Sequence, residues 1–184
     1  RAPAPSLCGA VPGGPAGRLG RGLVNLFTGE EADELFGGEA SPTVRHLIDQ
    51  ARQLPRTECA TLLWTAALSA PGDLPVYYLL YKLHASLGEL DHALRAAALG
   101  LRHASAAAGL PEDWTRVRPG DADFAHPGPA RFWLFTLKAM AFLHLRRRER
   151  HVAGTLLDQL RLLDPQDSLG ARHFESMLQS LMCD

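Results

Sequence analysis

An all-α fold of about three helical hairpins closed by a C-terminal capping helix is predicted for this 184-residue chain. Three observations predict it. Alanine and leucine dominate while β-branched residues are sparse, which favours helix over sheet. Apolar residues recur three and four apart in successive windows. Proline and glycine punctuate those windows where paired helices would turn.

Residues 1–22 are rich in Pro, Gly and Ala, with Arg18 and Arg21 among them. Such a segment cannot bury enough apolar area to offset its ordering entropy, so residues 1–40 are expected to be a flexible arm. Within it Leu23, Leu26 and Phe27 precede the acidic run Glu30–Glu34, and Leu35 and Phe36 follow. This apolar–acidic–apolar peptide reads as a strap over the domain's own core or as a docking element for another chain.

The helical domain is expected over residues 41–184. Ser41 and Pro42 suit a helix start, Ser as cap and Pro in the first turn. Val44, Leu47, Ile48, Ala51 and Leu54 give that helix its stripe, and Pro55 ends it. Thr57 can cap a second helix, with Glu58 in its first turn and Ala60, Leu63, Trp64, Ala67 and Leu68 on one side. The second hairpin is expected over Pro75–Leu87 and Glu89–His103 or slightly beyond. Residues 109–128 form a long connection holding Trp114 and Phe124, which suggests an ordered loop packed on the helices. The third hairpin pairs Ala130–Leu145 with Glu149–Leu163. Its first helix is apolar almost all round and is therefore expected to be central. Ser168–Met182 would be the capping helix.

The Leu74–Leu101 hairpin resembles a tetratricopeptide repeat. Tyr77 stands at the early aromatic position, Leu80 three later, Leu87-Gly88 at the turn and Leu90 after it. Ala93 occupies the small position where the helices cross, and Gly100 the later small position. Tyr81, His84 and Ser105 depart from the pattern, where a small residue, a tyrosine and a proline are usual. The third hairpin is similar to a degenerate copy, with Ala153 at the crossing and Leu163-Asp164-Pro165 as the unit ending. Its turn, Arg146–Arg150, lacks the glycine.

The resemblance implies a short right-handed α-α superhelix whose first helices line a concave groove. It implies that Tyr78 and Lys82, then Phe135 and Lys138, face that groove, with Trp114 of the loop nearby. Lys82 and Lys138 are the only lysines of the chain. The asparagines of the family's clamp for a terminal carboxylate are absent. The heavy use of Arg elsewhere fits a GC-rich bacterial genome.

The formal charge is −1, so no global field recruits nucleic acid or an anionic membrane. Cys8, Cys59 and Cys183 lie far apart, which suits a reducing cytoplasm better than a disulfide framework. No apolar run is long enough for a membrane span, and no secretory signal is visible. No nucleotide-binding or hydrolase motif occurs, and no cofactor is expected. Asp121, Asp123 and His126 could gather at one metal, although loop carboxylates more often cap turns. His92 and His103 read as a surface pair without a third ligand. Arg146, Arg147, Arg148 and Arg150 form a basic turn, solvated or paired with Glu30–Glu34. The expected function is therefore a non-catalytic protein-interaction module that binds a protein or peptide in the groove. The alternatives are a self-assembling subunit that uses the arm to form a homo-oligomer and, with less support, a metal-dependent enzyme.

Overall fold

The computed structural model describes residues 40–182. They form seven α-helices and one short 3-10 turn, with no strand among the described residues. The helices are α1 (Pro42–Ala51), α2 (Arg56–Ser69), α3 (Leu74–Ser86), α4 (Leu90–Ala108), α5 (Pro129–Arg146), α6 (Arg150–Leu163) and α7 (Arg172–Met182). The expected docking residues Leu23, Leu26, Phe27, Leu35 and Phe36 lie outside the described residues. None of the described helices is long and apolar enough to cross a membrane.

Each helix packs on its neighbour in sequence, and α3 and α7 also pack on α5. The first helices of the second and third hairpins therefore stand side by side, with the terminal helix beside them. This all-helical arrangement is compatible with a helical repeat. As its apolar girth predicts, α5 is central: it packs against α3, α4, α6 and α7. Phe132, Trp133, Leu134 and Leu137 on it are fully buried. Each such side chain contributes on the order of 1.5–3 kcal/mol through burial.

One position is alike in the three hairpins. Cys59, Ala93 and Ala153 each sit in the first turn of a second helix and are buried. Each backbone N–H donates to the capping carbonyl, Pro55, Glu89 or Glu149, at 3.2, 3.0 and 3.1 Å. A small side chain is needed there because two helix backbones approach closely. Cys59 is the member that the repeat motif alone does not reveal. Its Sγ lies 3.0 Å from the Ala51 carbonyl, where the thiol can satisfy an orphan acceptor at the end of α1. Burial is the largest influence on that thiol and raises its pKa.

Ser41 caps α1 as expected, its Oγ accepting from the Val44 N–H. Ser41 is itself held by a residue distant in sequence. Its N–H and Oγ–H both donate to Asp73 Oδ2, at 3.0 and 2.6 Å, at the entrance of α3. Three boundaries differ from the sequence expectation. Helix α2 starts at Arg56, under the Pro55 carbonyl, so Thr57 lies inside it and is not its cap. Helix α4 runs on to Ala108 through good helix formers and stops where Gly109 turns left-handed, at φ 68°. The terminal helix starts at Arg172 because residues 164–171 are a capped turn. There Asp164 accepts from the Ser168 and Leu169 N–H groups, and Asp167 has φ 54°. Leu68, placed on the α2 stripe by its spacing, is 80% exposed. Burial of Ala66 and Ala67 turns the residue after them toward solvent.

The 109–128 connection packs onto the helices. Leu110, Val117 and Phe124 are buried. Gln159 of α6 donates to the Val117 carbonyl at 2.7 Å, and Arg131 of α5 to the Phe124 carbonyl at 3.1 Å.

Candidate functional site

A groove of about 250 Å³ opens between α3, α5 and α7. Tyr81 and Lys82 line it from α3, Phe135, Lys138 and Phe142 from α5, and Phe174 from α7. On α5 the spacing of three and four residues puts Phe135, Lys138 and Phe142 on one face. Phe142 and Phe174 stack at 5.2 Å between centroids and form one wall. The rest is aliphatic, with no carboxylate among the described residues of the lining.

Both lysines stand over aromatic rings. Lys82 Nζ lies 5.4 Å from the centre of the Tyr78 ring. Lys138 Nζ lies 5.9 Å from Phe135 and 5.4 Å from Phe174. Such cation–π contacts contribute about 0.5–1 kcal/mol each where solvent reaches them. Lys138 also donates to the Leu169 carbonyl. Burial lowers the Lys138 pKa; Asp167 opposes the shift, and the nearby Lys82 charge adds to it. Lys82 has no ion-pair partner among the described residues.

Of the residues singled out by sequence, Lys82, Phe135 and Lys138 meet at this groove. Tyr78 lies beneath it, fully buried, with its ring against Tyr81 and Phe135. Trp114 belongs to the 3-10 turn Trp114–Arg116, half-buried, and is not part of the lining. Phe142 continues the three-and-four spacing of Phe135 and Lys138, so that much was legible. Phe174 arrives from another helix, and no local pattern points to it. Tyr81 occupies a position where the repeat pattern prefers a small residue. Its hydroxyl and that of Thr136 are buried without a well-aligned partner among the described residues.

The groups weighed as metal ligands are used otherwise. Asp121 accepts from the Arg118 N–H at 2.7 Å. Asp123 accepts from the Ala125 and His126 N–H groups and meets the His126 ring at 2.7 Å. The hydrogen bond from His126 is the first cause of the lowered Asp123 pKa. All three residues are exposed, and their ligand atoms do not converge at one point.

Among the described residues the three-residue cluster with ligand-like spacing is His84, Glu89 and His92. Its hydrogen bonds oppose a metal. Trp64 Nε1–H donates to His84 Nε2 at 3.1 Å, so the ring proton resides on Nδ1. That proton is donated to Glu89 Oε2 at 2.6 Å. A metal on Nδ1 would force a proton onto Nε2, facing the indole N–H. The same clasp joins His144 to Glu149 across the next turn, where Val152 replaces the third ligand. The clasp therefore reads as part of the turn.

His92 and His103 do not pair. His92 stacks on His84 at 5.2 Å, and His103 stacks on Tyr77 at 5.4 Å. In the basic turn, Arg146 donates to the Ala85 carbonyl at 2.7 Å. Arg147 pairs with Asp91 and, at 2.8 Å, with Glu149. These arginines bind the third hairpin to the second.

A wider opening, about 420 Å³, lies along α6 and α7 between Arg150, Asp158 and Leu178. Among the described residues no Phe, Tyr or Trp lines it. Comparison with known proteins returns no match to any family model, curated protein or solved structure.

Proposed function

We propose that this chain is a non-catalytic protein-interaction module, a short right-handed superhelix of the tetratricopeptide kind. Its groove between α3, α5 and α7 takes a peptide segment that is both acidic and apolar. The observation that carries this reading is the meeting of Lys82 and Lys138. They are the chain's only lysines, far apart in sequence, and they share one aromatic-walled groove that no carboxylate lines among the described residues.

At about 250 Å³ the groove is smaller than most pockets for whole small molecules and suits one or two side chains. Aromatic walls take apolar side chains, and the ammonium groups meet carboxylates through charge-assisted hydrogen bonds. Half-buried ammonium groups are less screened than free surface charges, so the discrimination in charge should persist in moderate salt.

Fluorescence anisotropy with three labelled peptides tests the reading: one acidic and apolar, one with its carboxylates replaced by lysines, one uncharged. The acidic peptide should bind best. Lys82→Glu with Lys138→Glu should weaken it by about tenfold or more while circular dichroism stays helical. Equal binding of the acidic and the lysine-bearing peptide would remove the assignment.

A further inference from the structure

The chain itself contains a peptide of the chemistry that this groove would take. Residues 23–36 read Leu-Val-Asn-Leu-Phe-Thr-Gly-Glu-Glu-Ala-Asp-Glu-Leu-Phe, with four carboxylates, no cation and an apolar group at each end. The groove offers the complement: two ammonium groups over aromatic rings and, among the described residues, no carboxylate in its lining. We propose that residues 23–36 occupy the α3–α5–α7 groove of their own chain, with the acidic run against Lys82 and Lys138 and the apolar ends on the aromatic walls.

Where the described chain begins supports an intramolecular arrangement. Ala40 is buried, and Ser41 is bound through two hydrogen bonds to Asp73. Asp73 is the residue before α3, the same helix that carries Tyr81 and Lys82. From Asp73 to Lys82 the helix rises only about 13 Å. The five residues from Phe36 to Ser41 span up to about 17 Å when extended. Residues 23–36 are thus tethered within reach of the groove. A tether this short gives an effective concentration on the order of millimolar. Even an intrinsic Kd of about 0.1 mM would then keep the groove about 90% occupied.

The inference rests on the groove being a peptide site and adds its regulation. A partner's acidic, apolar segment would have to displace the chain's own, and only partners that outcompete it would bind.

Because Lys82 and Lys138 are the only lysines, amine acylation followed by mass spectrometry reads the groove directly. The experiment compares the full chain with a full-length variant carrying Glu30→Gln, Glu31→Gln, Asp33→Asn, Glu34→Gln, Leu35→Ser and Phe36→Ser. These changes lie outside the helices described above, so the helical domain should fold equally, as circular dichroism would verify. Acylation of Lys82 should run about tenfold faster in the variant, the factor that 90% occupancy implies. A labelled peptide of residues 23–36 should likewise bind the variant about tenfold more tightly than the native chain.

Equal acylation rates in the two chains overturn the inference. If a foreign acidic peptide still binds both equally, the groove assignment stands and only self-occupancy fails. A native dimer that becomes monomeric in the variant, read by sedimentation, also overturns it, because the segment then sits in a second copy.

Discussion

Trp64 donates its indole N–H to Nε2 of His84 at 3.1 Å and so joins the first hairpin to the second. The bond sets the imidazole tautomer, and the other ring nitrogen clasps Glu89 across the turn between α3 and α4. One aromatic residue thus organises a three-member hydrogen-bond chain at a helix–helix junction. Trp64→Phe keeps most of the packing and removes the donor. It should cost about 1 kcal/mol in chemical denaturation, the usual net value of one hydrogen bond. Stoichiometric zinc should leave the melting temperature of the native chain unchanged. A rise of several degrees would show that His84, Glu89 and His92 bind metal after all.

The corresponding clasp at the next turn carries a pH prediction. The hydrogen bond from His144 is the main reason that Glu149 has a pKa below the ordinary 4.5. A carboxyl depressed on folding stabilises the folded state above its unfolded pKa. That contribution disappears as pH falls through the folded value. Glu149→Gln should therefore flatten the loss of stability below about pH 4.5, measured by urea unfolding at a series of pH values. An unchanged acid limb would count against the clasp.

Two glycines at helix interiors should respond in opposite directions. A Cβ on Gly100 would lie 2.8 Å from Tyr77 Cβ and 3.3 Å from Tyr77 Cγ, atoms close to the α3 backbone that cannot step aside. Gly100→Ala should destabilise. Overpacking of about 1–3 kcal/mol outweighs the roughly 1 kcal/mol gained in helix propensity. At Gly154 the nearest atom would be Leu178 Cδ2 at 3.6 Å, an ordinary contact. Gly154→Ala should stabilise by about 0.5–1 kcal/mol. Thermal melts of the two variants on either side of the native chain would bear this out, and a shift in the same direction would contradict it.

The turns at the ends of α3 and α5 share a left-handed residue but not its identity. Gly88 has φ 78° and Arg148 has φ 61°. A side chain at such an angle costs about 1–2 kcal/mol, and glycine avoids it. Arg148→Gly should raise the unfolding midpoint and Gly88→Ala should lower it. The Arg148 gain comes from relief of backbone strain and not from charge, so it should hold in high salt, where charge effects at this exposed turn are screened.

The sequence alone determined the helices and most of their ends. Those depend on interactions a few residues long: Ser41 and Pro42 starting α1, the apolar girth of α5, and a Gly88 turn whose copy at Arg148 preserved its shape without the glycine. In the 109–128 loop Phe124 is buried against the helices while Trp114 stays half-buried, a difference that no local pattern contains. Where tertiary contacts competed, local reading stopped short. Ser105 looks like a departure from a unit ending, yet it lies inside α4 because its Oγ accepts the buried Trp133 indole N–H at 2.8 Å. Only the tertiary structure decided which separated residues meet: Ser41 with Asp73, Trp64 with His84, Lys138 with Phe174. A hydrogen bond or ring contact across helices depends on crossing angle and axial rotation. These follow from the packing of every stripe at once, so no window of sequence contains them. The groove is of this second kind, since each of its walls is an ordinary helix face until α7 brings Phe174 beside Phe142.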